Sequence, residues 1–444
     1  MNIIAQDIIQ ESVKSARLVN AQEERKLITK FIDYYAGDNT LQYIKPRFKG
    51  ASFQEVPPVN FNLTKKFIAK ISRVYSLGAS RNAGSKYATM IGKKDYKFKH
   101  IERMTKLLGT VAVRVLLKHD SFGNTFFDYL PIYYFDANFG DDPFTPISIS
   151  YPLMRSTSDI DNIEKLSYCY WDAHTYIEYD EDGGVLKEVK HSYGFLPFTF
   201  MHKEHQLVDF KVAGADDIIN CNESVNILLT EANLGMRFQM FGQPIITGLY
   251  SDAKITRAGT DEAMILPEGA SFSFQSPNSN MKDAIELVKS MINLCATNNS
   301  LQVQFSNEGK ERASSGIALK IKDLDMHTNW QNDLGIWDVY ERNVYALEKA
   351  HADLNGIKLP DKLGLDFNEP DYPKNVQDQI AWDNHLLANN LTTQSKLLVG
   401  YNQDLKEKEA DSIVQNNRKV NDANQPESTQ SVFKRIRDKT AKAK

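Results

Sequence analysis

Cysteine is scarce in these 444 residues. The three that occur, Cys169, Cys221 and Cys295, are odd in number and widely spaced, so no disulfide framework can be read from them and a reducing compartment is expected. No apolar run approaches the roughly 18 residues of a membrane-spanning helix. The first twenty residues carry Asp7 and Glu11 where a signal peptide would be apolar, which points to a soluble protein made in the cytosol. Catalytic punctuation is also missing. There is no G-x-S-x-G elbow, no H-E-x-x-H and no cysteine in a local family signature. Gly84 and Gly92-Lys93-Lys94 fail as a phosphate loop, because seven residues separate the glycines and Lys94 stands where a hydroxyl is needed. His202 and His205 have no further His or Cys to complete a zinc set, so solvated histidines are expected. Glu178, Asp180, Asp182 and Gly183 imitate a calcium loop, but Val189 replaces its closing glutamate, leaving a hairpin turn. The expectation is no metal, no cofactor and no enzyme.

What is present is an ordinary globular composition, 42% hydrophobic and 25% charged, in a chain long enough for two or three domains. Net charge is −4 but unevenly spread. Residues 415–444 hold eight Lys/Arg against three Asp/Glu, or +5, so residues 1–414 carry −9. An acidic body is a poor grip for nucleic acid, whose sequence-independent affinity comes from neutralised phosphates, yet it can surround DNA without holding it. The basic tail, SVFKRIRDKTAKAK, reads as a solvated, disordered end or as a nucleic-acid contact.

Periodicity predicts helices over 1–36, from Asn62 to Ser76, and from His100 to His119. Residues 124–200 read as short strands cut by Gly, Pro and Asp. A long helix is expected from Gly214 to Phe241, stopped by Gly242-Gln243-Pro244. Its apolar stripe includes Ile218, Cys221, Val225, Leu228 and Leu229, and Asn222, Glu223, Asn226 and Glu231 lie on other faces. Short strands follow over 245–280, and a second helix, 281–297, carries Ile285, Val288, Ile292 and Cys295 on one stripe. A polar stretch centred on Ser306-Asn307-Glu308-Gly309-Lys310 leads to Ser314 or Ser315 as an N-cap. The helix it opens runs to about Leu354, and Gly335 is a bend or simply a weak turn. Helices over 375–389, restarting after Thr392-Thr393, and over 405–417 close the folded part.

This order resembles a tailed-phage portal protein, the head-to-tail connector family. Tyr34-Tyr35-Ala36-Gly37 and Val59-Asn60-Phe61-Asn62 are similar to its N-terminal pattern, and Gly194-Phe195-Leu196-Pro197-Phe198 to its wing. Gly214-Ala215-Asp216-Asp217 resembles the start of the first stem helix, Ser315-Gly316-Ile317-Ala318-Leu319-Lys320 the helix after the tunnel loop, and Phe367-Asn368-Glu369-Pro370 the entry to the crown.

The resemblance implies a mixed α/β (α+β) portal fold: wing 1–213, stem helices 214–241 and 281–297, clip 242–280, tunnel loop 298–313, long wing helix 314–360, crown 361–417 and tail 418–444. It implies a ring of about twelve copies at one capsid vertex, with double-stranded DNA passing through the channel during packaging and ejection. The expected partners are the terminase large subunit, head-completion and adaptor proteins, and the major capsid and scaffolding proteins, with no membrane. The expected location is the virion. Asn298, Asn299, Gln302, Gln304, Asn307, Lys310 and Arg312 are the candidate loop contacts to DNA. Glu223 and Glu231 are candidate channel-lining charges or subunit–subunit ion pairs. Lys254, Arg257, Asp261 and Glu262 are the candidate partner-binding residues of the clip. Against this stand an α/β enzyme or ligand-binding protein, for which no motif speaks, and an adaptor or scaffold, which would not give the helix–β–helix–loop–helix order.

Overall fold

In the computed structural model, residues 17–48, 58–153, 167–180, 182–241, 243–247, 271–275, 281–303, 324–368, 376–402 and 405–424 are described. Helices and antiparallel strands are mixed, giving an α+β class. Two units separate: Met1–Lys310 with Asp323–Pro370, and Glu311–Lys322 with Asp371–Lys444.

The first unit turns on Gly109. A single helix from His100 to His119 is the expectation from sequence. Instead a Lys94–Leu108 helix ends at Gly109, with φ +83°, and a Thr110–His119 strand begins. The Gly109 N–H closes on the Thr105 carbonyl at 2.9 Å. A Cβ at this position would lie 2.0 Å from the Val212 carbonyl oxygen, so no other residue fits without moving the backbone. Past the break, β-branched Val111, Val113 and Val115 alternate with period two, and that pattern overrides the helical one.

The strand is the centre of a three-stranded antiparallel sheet, flanked by Thr125–Ile132 and Phe198–His202. Val111, Val113 and Val115 face a core that also contains Phe98, Ile101, Leu107, Trp337 and Val344. Ala112, on the opposite face, belongs to a second core with Ile149, Cys169, Trp171 and Phe198. That core is shared with a five-stranded meander, Asp136–Phe139, Pro146–Leu153, Ser167–Trp171, Thr175–Tyr179 and Val185–Lys190. The β-rich reading of 124–200 therefore holds. The Asp180–Gly184 turn is held by the Asp180 carboxylate, which accepts from the N–H groups of Gly184 at 2.6 Å and Asp182 at 3.1 Å, as a hairpin requires.

The second predicted helix is shorter than expected, Leu63–Ile71 rather than Asn62–Ser76. The buried Glu102 carboxylate ends it early by accepting from Val74 N–H at 2.9 Å and Tyr75 N–H at 3.2 Å. The long Leu324–Leu354 helix is continuous through Gly335; its predicted beginning at 315 lies outside the described residues. Its Trp337, Val344, Tyr345 and Ala352 are buried, and Tyr75 meets Phe98 and Trp337 edge to face at 5.4 Å each. Gly364–Phe367, expected as part of the crown, pairs instead with Ala79–Asn82 in the first unit.

The second unit contains helices Val376–Ala388, Gln394–Tyr401 and Glu407–Asn424. Thr393 caps the middle one, its hydroxyl accepting from Lys396 N–H at 3.3 Å, so the predicted restart is where the sequence placed it. The last helix reaches Asn424, seven residues past the predicted end at Asn417. The basic tail beyond it lies outside the described residues.

Candidate functional site

The region singled out in the sequence forms a helical hairpin. The Asp216–Phe241 helix spans about 39 Å and the Met281–Asn298 helix about 27 Å at ~1.5 Å per residue. They run antiparallel, since the start of the first meets the end of the second. The Asn299 amide donates to Asp217 at 2.8 Å, and the Cys221 thiol approaches the Met291 carbonyl at 3.8 Å. Cys221 and Cys295 share a hydrogen bond, which pulls the Cys221 thiol below its ordinary pKa and pushes the Cys295 thiol above it. At the far end the strands Gln243–Thr247 and Ser271–Gln275 pair as an antiparallel ribbon, Gln243 opposite Gln275.

The base of this hairpin is fixed by the segment before it. Lys203 N–H donates to Gly109 O at 2.8 Å, Val212 N–H to Thr110 Oγ1 at 2.9 Å, and Ala215 N–H to Leu107 O at 2.9 Å. Gly214 passes so close to Phe31 that a Cβ would lie 2.5 Å from its ring. The Gly109 corner thus sets where the long helix departs.

A polar ladder anchors its first half. Asn222, Asn226 and Thr230, one turn apart, are all buried. Asn226 accepts from Phe61 N–H at 2.9 Å and donates to Phe61 O at 3.1 Å. Asn222 accepts from Leu63 N–H at 3.2 Å, and Thr230 Oγ1 from Val59 N–H at 2.9 Å. The side chains of a helix here satisfy the backbone groups of an irregular segment. The sequence reading left Asn222 and Asn226 among the faces away from the apolar stripe; their burial follows from the unpaired backbone they serve.

The loop begins with a left-handed residue. Ser300 has φ +52°, its N–H closes on Thr297 O at 3.0 Å, and Leu301 N–H reaches back to Ala296 O at 2.8 Å. These are the two bonds of a Schellman cap. Asn299 is half-buried, holding Asp217 and the Cys295 carbonyl at 2.9 Å, so its side chain serves the helix end. Asn298 and Gln302 are exposed. Gln304, Asn307, Lys310 and Arg312 of the loop, and Lys254, Arg257, Asp261 and Glu262 of the clip, lie outside the described residues.

Of the two acidic candidates, Glu231 is exposed and Glu223 is not. The Glu223 carboxylate is 10% exposed, 2.7 Å from Lys30 Nζ and 3.7 Å from Arg47. Within its own chain it neutralises Lys30 and Arg47. His202 is likewise buried rather than solvated, bonded to Thr110 Oγ1 at 3.0 Å, and burial lowers its pKa to about 4. His205 is exposed.

A buried ionic cluster went unseen in the sequence. Lys94, Glu341 and Glu348 have side chains with no exposure at all. Lys94 Nζ lies 3.0 Å from Glu341 and 2.8 Å from Glu348, and Arg81 lies 2.6 Å from Glu341. Tyr75 donates to Glu341 at 2.8 Å, while Tyr87 at 2.7 Å and Tyr129 donate to Glu348. Burial alone would raise the Glu341 carboxyl, but Lys94 and Arg81 outweigh it and bring it down to about 2. Within the buried set the two cations balance the two carboxylates, and Arg81 also meets the half-exposed Asp95 at 2.7 Å. Lys94 and Glu348 are 254 residues apart, so no spacing rule could have paired them. Among the described residues no group of three or more His, Cys, Asp or Glu side chains is placed to hold a metal.

No family model matches the chain, and no curated protein matches it.

Proposed function

We propose that this chain is the subunit of a phage portal, a ring of about twelve copies at one capsid vertex through which double-stranded DNA is packaged and later ejected. The observation that carries the reading is the connectivity: an antiparallel helical hairpin tipped by a two-stranded ribbon and followed, after a polar stretch of sequence, by a 31-residue helix. The hairpin leaves Ile285, Leu287 and Leu294 at 43%, 51% and 66% exposure, apolar surface that a neighbouring copy would cover. The ribbon end is the docking surface for the terminase motor and then for adaptor proteins. The −9 of residues 1–414 suits a wall that lets a duplex slide. Asn298, Gln302 and the loop residues beyond it make passing contacts with the duplex, and Glu231 faces the channel. The ring sits in the virion among major capsid and scaffolding proteins.

Single-particle mass measurement of the purified protein tests this. A population near 600 kDa, about twelve copies of 50.5 kDa, supports it, and a monodisperse dimer across a wide concentration range speaks against it.

A further inference from the structure

A cleft of about 440 Å³ opens at the C-terminal end of the Met281–Asn298 helix. Its walls are the end of the Leu63–Ile71 helix, the Lys94–Leu108 helix, residues 203–204, residues 298–301 and the start of the long helix. Four cations line it, Lys70, Arg73, Lys106 and Lys203, against two carboxylates, Glu204 and Asp333. This is a local excess of positive charge in a chain whose net charge is −4.

Lys106 and Asp333 neutralise each other at 2.6 Å. Lys203 Nζ donates to an uncharged acceptor, the Gly214 carbonyl, at 3.2 Å. Among the described residues neither Lys203 nor Lys70 has a carboxylate within ion-pair distance. The polar lining also offers the side-chain amides of Asn298, Asn329 and Asn332. Cations and neutral donors lining one cleft match a small polyanion with several acceptor oxygens.

We propose that this cleft binds a phosphate group. Lys70 and Lys203 supply the counter-charge, and the asparagine amides the uncharged hydrogen bonds. The site uses nothing of the ring reading and stands if that reading fails. The same chemistry is offered by the free ion and by the backbone of a nucleic acid.

The test titrates the full-length protein with inorganic phosphate at constant ionic strength, followed by calorimetry and phosphorus NMR, and in parallel with a short DNA duplex followed by anisotropy. Both are repeated on the Lys70→Ala/Lys203→Gln variant. Saturable phosphate binding that weakens about tenfold or more in the variant is the expected result. Binding of the duplex but not of the free ion, with the same loss, assigns the phosphate to the nucleic-acid backbone. No saturable binding of either, or binding unchanged in the variant, overturns the proposal. Should the double variant melt early, Lys70→Ala alone alters an exposed side chain and is expected to weaken binding severalfold; no change there overturns the proposal equally.

Discussion

Replacing Lys94 by Met removes one cation from a fully buried set of two cations and two carboxylates. Glu348 then keeps only the hydroxyls of Tyr87 and Tyr129, and Glu341 keeps Arg81 and Tyr75. An uncompensated buried charge costs about 3–5 kcal/mol, and Lys94→Met is expected to destabilise by that amount. Glu348→Gln leaves the opposite imbalance and is expected to cost about as much. The double variant is balanced again, Arg81 against Glu341, so its cost should fall short of the sum by roughly 2 kcal/mol or more. Urea unfolding followed by tryptophan fluorescence reads this directly, because Trp337 packs on Tyr75 at 5.4 Å and so reports on the cluster. Additivity of the two single variants would refute the reasoning, since it would mean that the charges do not feel one another.

Asn226→Ala strands both the N–H and the C=O of Phe61 and should cost about 2–6 kcal/mol in the same assay, at roughly 1–3 kcal/mol for each unsatisfied group; a loss under about 1 kcal/mol would show that the ladder is idle. Glu102 is held at about 7 by burial, above its ordinary 4.5, so its contribution is fully present below pH 4.5 and is lost as pH rises through 7. Glu102→Gln should therefore gain on the wild type between pH 5 and 8, by about 3 kcal/mol at about 1.4 kcal/mol per pKa unit, and a pH-independent difference in urea midpoints would contradict this. Ser300→Gly, at φ +52°, should raise the melting temperature through a gain of about 0.5–1 kcal/mol, and a drop would mean that the Ser300 side chain has a role its backbone does not reveal.

The helix–ribbon–helix order was legible because its punctuation is local. Gly242-Gln243-Pro244 stops one helix, and period-3.6 apolar spacing starts the next at Met281. What was hidden depends on distant partners. Residues 110–119 can satisfy either periodicity, and the Val212 carbonyl pressed against Gly109 decides between them. Asn222, Asn226 and Glu223 look like a solvated face, yet an irregular segment about 160 residues earlier and Lys30 claim them. The stripe was right at Val288, Ile292 and Cys295, which are buried, but Ile285 is exposed in the single subunit.

Assembly into a ring is the central claim, and electron-microscope images of the purified particles taken down their symmetry axis test it most directly. The account predicts a closed ring of about twelve subunits around an open channel wide enough for a DNA duplex. A closed oligomer without a channel would contradict it.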